Sequence, residues 1–232
     1  MSLWTPPSED APRRLADLRV TYDLGTLAPQ DLPASPLDAF HGWFAEAEAA
    51  GLPEPNAMVV STASAAGAPS SRTVLLKDAD QRGFVFFTNL QSRKSRELAE
   101  NPNASLVFPW FVIHRQVTVV GVAELIDRDE VTTYYRSRPR GSQLGAWASE
   151  QSTVIDGRAG LEARYEELAA RYGDDTEIPV PDFWGGWLIR PSAIEFWQGR
   201  PSRLHDRLRF RAHVTDASLA EPEHWVLERL SP

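Results

Sequence analysis

Several short segments of the chain gather cationic, hydroxyl and turn-forming residues at spacings that suit an anion. In Thr88-Asn89-Leu90-Gln91-Ser92-Arg93-Lys94 an apolar run ends, Ser92 offers a helix cap and two cations occupy the first helical turn. Free backbone amides, the positive end of a helix dipole and cationic side chains together favour a phosphate. Cations at a helix start oppose that dipole, so they call for a reason beyond helix stability. Taken alone, the segment fits a solvated helix face equally well.

A second cluster runs from Tyr134 to Ser142. Tyr134 and Arg138 are four apart and share a helix face, Pro139 discourages continuation, and Ser142 offers a cap to the next helix. A phosphate, a carboxylate or simply a basic surface corner would fit. The third cluster, Glu195 to Arg207, places Arg203, His205 and Arg207 on one face if the stretch is extended, where like charges repel unless an anion or solvent compensates. Trp197 beside it offers a stacking face, although with eight tryptophans in the chain core packing is an equally ordinary role. Arg72 and Lys77 flank Thr73-Val74-Leu75-Leu76, and their odd separation sends them to opposite faces of a regular strand unless the backbone bulges or twists.

Other chemistries lack a foothold. The chain has no cysteine, and its five histidines, His41, His114, His205, His213 and His224, show no metal-ligand spacing, so no metal site is expected. A G-x-S-x-G elbow, a Walker A loop and a G-x-G-x-x-G turn after a strand are all missing. The net charge of −8 argues against nucleic acid and anionic membranes as partners, and any bound anion must meet a local basic pocket. No apolar run is long enough to span a bilayer and the first ten residues lack a leader pattern, so cytoplasm is the expected address.

The elements that position these residues follow from periodicity. Residues 1–34, rich in Pro, Asp and Arg with one weakly helical patch near Leu15–Tyr22, read as a mobile arm, and residues 35–232 as one domain. Ser35-Pro36 starts a helix whose apolar face is Leu37, Phe40, Trp43, Phe44 and Ala47, closed by Gly51. Short β-branched and aromatic runs at Met58–Val60, Thr73–Leu76, Phe84–Phe87, Leu106–Phe108 and Val117–Val120 read as strands. The link Asp78–Gly83 is too short for a helical crossover, which predicts a hairpin between its flanking strands. Helices are expected at Ser92–Glu100, Asp127–Ser137, Ser142–Glu150 and Gly157–Tyr172, with Asp127 and Glu130 spaced as a capping box. Strands resume at Trp187–Ile189, Ala193–Trp197, Leu204–Phe210 and Trp225–Leu230. The architecture expected is mainly β, an antiparallel barrel with flanking helices.

Together these segments resemble the pyridoxine (pyridoxamine) 5′-phosphate oxidases. The resemblance runs from about Leu18 to the end, through Arg72–Lys77, Thr88–Lys94, Phe108–Trp110, Arg115–Val117, Ser137–Ser142, Phe183–Gly186, Glu195–Gly199, Arg203–Arg207 and Arg229–Pro232. Each motif is weak alone; their order and coverage are specific. The resemblance implies an antiparallel split β-barrel homodimer with FMN at the subunit interface. It implies oxidation of pyridoxine or pyridoxamine 5′-phosphate at C4′ to pyridoxal 5′-phosphate, with O2 reduced to H2O2. By motif, Arg72, Lys77, Phe87, Thr88, Arg93, Lys94, Gln116, Gln151, Ser152, Trp197 and Arg207 would contact FMN. Lys77, Tyr134, Arg138 and Ser142 would hold the substrate phosphate, and Arg203 with His205, the catalytic candidates, would lie over the substrate ring.

The chain departs from the family pattern in places. Phe87 stands where many relatives have tyrosine, which leaves only backbone contacts there, and Val20 and Thr21 replace charged residues near the arm. Residues His213–Glu223 look like an extra loop without a functional reading. Two other functions share the fold: a flavin or deazaflavin reductase on another substrate, against which the Arg203–His205 and Tyr134–Ser142 motifs speak, and a non-catalytic FMN- or pyridoxal-phosphate-binding protein.

Overall fold

The computed structural model describes residues 20–232 together with Leu15 and Leu18. Half of the expected arm, including residues 16, 17 and 19 of the weakly helical patch, therefore lies outside the described residues. Of the arm's described part, Leu27 and Leu32 are buried in the main core, and the Leu27 N–H donates to Asp206 Oδ2 at 3.1 Å.

Helix α1 (Pro36–Ala49) begins as its residue types require, with Ser35 Oγ accepting from the Asp38 N–H at 3.0 Å and Pro36 pre-set in the first turn. It buries Ala39, Phe40, Trp43 and Ala47, and Phe40 meets Phe84 edge to face at 4.9 Å. Truncating a ring so enclosed costs about 3–5 kcal/mol. Beneath α1 lie nine antiparallel strands: β1 (Ala57–Ala63), β2 (Pro69–Leu75), β3 (Asp78–Asp80), β4 (Gly83–Asn89), β5 (Asn103–Trp110), β6 (Arg115–Leu125), β7 (Trp184–Gln198), β8 (Asp206–Ala212) and β9 (Trp225–Leu230). Their order is β2-β1-β5-β6-β7-β4-β3, with β8 on β7 and β9 on β8.

The strands β2 and β3 are consecutive in the chain yet stand at opposite ends of that order. The switch takes two residues: the Leu76 N–H donates to Asn56 O and the Lys77 N–H to Val85 O, each at 2.8 Å. Only a sheet curled until its ends approach allows this, so the expected antiparallel split barrel is the observed architecture. The hairpin expected between Thr73–Leu76 and Phe84–Phe87 is corrected in detail. β2 pairs with β1, and the hairpin joins β3 to β4 through Gln81-Arg82. Asp80 accepts the Arg82 N–H at 2.7 Å, and Gly83 sits at φ +151° where a Cβ would meet Ile189 O at 2.0 Å.

Further corrections have local causes. The separate strands expected at Trp187–Ile189 and Ala193–Trp197 are one, β7, with Pro191 tolerated opposite a register shift at Val120/Gly121. Helix α2 (Arg93–Glu100) starts after Ser92, but that hydroxyl makes no cap bond and accepts from Lys94 Nζ at 3.3 Å instead. Helix α3 (Arg128–Ser137) is capped by Asp127 alone, because Glu130 is taken by Arg82 at 3.0 and 3.1 Å. Helix α4 (Arg140–Ala148) starts two residues before the expected cap, so Ser142 lies inside its first turn; helix α5 (Arg158–Tyr172) follows the sequence pattern. The loop His213–Glu223 is a plug: Leu219 is fully buried, accepts from the Leu37 N–H at 3.1 Å and donates to Gln81 O at 2.9 Å. No helix among the described residues is long and apolar enough to cross a membrane.

Candidate functional site

The end of β4 and the start of α2 form one wall of a cleft of about 740 Å³ between the barrel and the helices α3 and α4. Lys94 points back from α2, only 7 % exposed, and its Nζ donates to Gln151 Oε1 at 2.7 Å and Thr88 Oγ1 at 2.8 Å. Among the described residues it forms no ion pair. Burial, seconded by the Arg72 charge, pushes its pKa down to about 8. An ammonium enclosed by neutral oxygens is costly unless an anion joins it.

Arg72 on β2 reaches the same wall, where it donates to Thr62 Oγ1 at 2.7 Å, to Ser70 Oγ, and lies 3.5 Å from Glu97. Glu97 is buried on α2 and also accepts from Arg93 Nε at 2.8 Å, from Ser70 Oγ at 2.5 Å and from Thr62 Oγ1. Burial alone would raise its pKa; the bonds from Ser70, Thr62 and Arg93 outweigh that and hold the carboxyl at about 2. Glu97 thus aims two of the expected cations, and sequence reasoning overlooked it although it stands four residues after Arg93 on the same helix face. Lys77 also lines the cleft. The parity conflict with Arg72 dissolves because β2 ends at Leu75 and Lys77 belongs to the switch between sheet ends.

Tyr134, Arg138 and Ser142 line the cleft from α3 and α4, and Gln151 and Ser152 line it as well, Gln151 bonded to Lys94 and Thr88. The Tyr134 ring lies on Phe87, centroids 3.8 Å apart, and burial raises its pKa. Arg138 rests over the Trp184 ring at 4.2 Å. Gly185 and Gly186, at the start of β7, let the wall close: a Cβ there would run into the Leu90 or the Ile126 side chain. The lining holds five cations, Arg72, Lys77, Arg93, Lys94 and Arg138, and no acid, in a chain of net charge −8. That concentration marks an anion site.

Gln116, Trp197, Arg203, His205 and Arg207 are not in this cleft. Gln116 on β6, Trp197 on β7 and Arg207 on β8 are neighbours across the sheet. Trp197 stands twelve residues along β7 from Gly185, the partner of Thr88, a contour of about 40 Å at ~3.3 Å per residue. Arg207 forms a two-pronged pair with Glu195 at 2.7 and 2.9 Å, a partnership visible only through the register of β7 with β8. The extended run expected from Arg203 to Arg207 is overturned: Pro201–Arg203 is a 3-10 turn with Ser202 and Arg203 left-handed at φ 58° and 63°, and β8 starts at Asp206. Arg203 is exposed there. His205 Nδ1 accepts the Arg200 N–H at 3.1 Å, which puts the proton of the neutral ring on Nε2; burial and then the Arg203 charge lower its pKa. Tyr22 packs edge-on against Trp197 and His205, centroids at 5.6 and 5.7 Å, a second residue for which sequence reasoning had no role.

Comparison with known proteins reads both halves together. Residues 44–172 match the family described as pyridoxamine 5′-phosphate oxidase, and residues 184–232 match the pyridoxine 5′-phosphate oxidase C-terminal dimerisation region. The chain belongs to the pyridoxamine 5′-phosphate oxidase family. It is 56 % identical to the pyridoxine/pyridoxamine 5′-phosphate oxidase of Salinispora arenicola, over 94 % of this chain and 96 % of that one. The enzyme of the same name from Frankia alni is 50 % identical over 98 % of each chain. Among solved structures, PhzG from Burkholderia lata, in complex with tetrahydrophenazine-1-carboxylic acid, superposes with a TM-score of 0.80 at 31 % identity, covering 89 % of this chain and 98 % of that one. An FMN-binding protein from Nostoc punctiforme, related to the family, shares the fold at TM-score 0.65 and 15 % identity, over 90 % of this chain and all of that one. The protein is accordingly an enzyme, an oxidoreductase of the pyridoxamine 5′-phosphate oxidase family. The dimerisation region supports a homodimer and contains Trp197, Arg203, His205 and Arg207, four of the five expected site residues that lie outside the cleft.

Proposed function

We propose that the protein is an FMN-dependent oxidase that converts pyridoxine or pyridoxamine 5′-phosphate to pyridoxal 5′-phosphate in a homodimer whose two sites each draw on both chains. The observation that carries this is the cleft of five cations and no acid, with Lys94 buried among neutral oxygens. Those residues fit a phosphorylated cofactor: Arg72, Arg93 and Lys94, with Thr88, Gln151 and Ser152, would hold FMN from one chain, and Gln116, Trp197 and Arg207 from its partner. Bound there, FMN would supply the two-electron oxidation at substrate C4′, the electrons passing to O2 to give H2O2 with two protons; with pyridoxamine 5′-phosphate, water would then supply the aldehyde oxygen and the nitrogen would leave as ammonia.

The chain's own residues would bind and orient. Tyr134, Arg138, Ser142 and Lys77 form a second set of donors in the same cleft, suited to the substrate phosphate, and a phosphate held there would let the substrate ring lie against the flavin. Arg203, always charged at neutral pH, would position the ring and stabilise developing negative charge rather than take a proton. His205, with Nδ1 occupied by the Arg200 N–H, offers Nε2–H as a donor.

Peroxide release tests the reading. The FMN-loaded protein should produce H2O2 with pyridoxine or pyridoxamine 5′-phosphate and far less with the unphosphorylated vitamers. A fully loaded flavoprotein that releases none with either phosphate would refute the assignment.

A further inference from the structure

We infer that Trp184 is a positioning residue for phosphate recognition: its ring face carries the Arg138 guanidinium without engaging any of its N–H groups, so that its accessible donors stay free for the ligand. The inference rests on the functional reading above, because it takes the Arg138 partner to be the substrate phosphate.

A half-buried guanidinium ordinarily meets a carboxylate. Arg138 meets none: among the described residues its side chain forms no ion pair and no hydrogen bond, and its Nη1 is buried without a partner. Burial lowers its pKa, the mark of a cation left without compensation. What holds it is aromatic. Its Cζ lies 4.2 Å from the Trp184 ring centroid and 5.6 Å from that of Tyr135, within the range where a ring quadrupole attracts a cation. Such a contact fixes the plane of the guanidinium and uses none of its five N–H groups.

Trp184 is built as a fixed shelf. It is 8 % exposed and packs with Val131, Tyr135 and Ala146 in a small core beneath α3 and α4. Its backbone N–H donates to Pro181 O at 3.0 Å, and its carbonyl accepts from Arg128 Nη1 at 2.7 Å. Its indole N–H is also buried and unpartnered, so two orphan donors belong to adjoining residues of the cleft wall. An acid in place of this ring would hold Arg138 as firmly but would have to be displaced by every incoming phosphate. The ring avoids that competition, and it lies in Phe183–Gly186, a motif segment to which the resemblance assigns no ligand contact.

The test weakens the ring face without changing its shape. Tryptophan at position 184 is replaced by analogues carrying one to several fluorines, which drain the negative ring face while leaving packing nearly intact. In the FMN-loaded enzyme the KM for pyridoxine 5′-phosphate, and the inhibition constant of inorganic phosphate, should climb stepwise with fluorination, to about tenfold at the end of the series. The kcat and the reaction of unphosphorylated pyridoxine should stay level. Trp184→Phe should fall early in the series and Trp184→Leu at its end. If KM and the phosphate inhibition constant stay flat, or if both substrate forms suffer alike, Trp184 is only a core residue and the inference is overturned. Failure of the parent enzyme to oxidise either phosphate is a different result and would count against the functional reading instead.

Discussion

Phe87 and Tyr134 lie face to face, their ring centroids 3.8 Å apart and their planes 13° from parallel. The pair joins β4 of the barrel to α3 and fixes where the Tyr134 hydroxyl enters the cleft. Stacked rings contribute about 0.5–1.5 kcal/mol beyond burial. Phe87→Ala should therefore raise the KM for pyridoxine 5′-phosphate roughly three- to tenfold, whereas Phe87→Tyr, which keeps the face, should match the parent. Steady-state kinetics on the two variants decide it, and identical KM values would remove the stack from the site.

The buried Lys94 makes cofactor uptake pH-dependent, with a definite sign. Its folded pKa of about 8 lies below the ordinary 10.5, so between those values the unfolded chain binds more protons and the apoprotein gains stability as pH rises. Anion binding runs the other way, because it needs the ammonium. The affinity for FMN should decline above about pH 8, by up to about tenfold per pH unit, and Lys94→Met should bind weakly with that slope abolished. Flavin-fluorescence titrations across the range would show it; a parental slope in the methionine variant contradicts the assignment.

Glu97 should matter more than its charge suggests. Removing a carboxylate from a phosphate site would by Coulomb's law tighten binding, yet Glu97→Gln strips Arg72 and Arg93 of the acceptor that aims them. The expected outcome is weaker FMN retention and a loss of about 2–3 kcal/mol of stability, somewhat under the cost of breaking a fully buried pair because Arg93 is half open. The contribution of Glu97 is complete above its ordinary pKa of 4.5 and fades as pH falls toward about 2. Calorimetry and a flavin titration test both parts. Tighter FMN binding by the variant would mean that the acid merely dilutes the positive charge.

Among the described residues Arg203 has no anionic partner, and it stands exposed on a left-handed turn. Arg203→Ala should retain stoichiometric FMN but turn over on the order of a hundredfold more slowly, the scale set by losing one stabilising donor. Unchanged kcat would assign the residue to the surface.

How much of this was legible beforehand depends on the range over which each signal acts. The start of α2 was, because Ser92 and the strand before it are local cues, and the cations they carry do meet in one cleft with Lys77, Tyr134, Arg138 and Ser142. The conformation of Ser202 and Arg203 was not, since alternation of residue types carries no trace of a left-handed pair. Nor was the Glu195–Arg207 bond, which depends on the register of two strands, or the Lys77 switch, which depends on where the barrel closes. Glu97 is the instructive omission: the four-residue spacing was in view, but its service to Arg72 required the barrel to bring β2 beside α2.

The length of β7 has a genetic corollary. That strand starts beside one chain's Thr88 and carries Trp197 next to its far end, so in the dimer each polypeptide would furnish unlike halves of two reaction chambers. A lesion in the first half and a lesion in the second would then repair each other. When Lys94→Met and Arg203→Ala subunits are unfolded and reassembled together, half of the dimers should be hybrids, each with one doubly damaged chamber and one intact, and about a quarter of parental turnover should return. Two defective alleles would thus complement within a single protein.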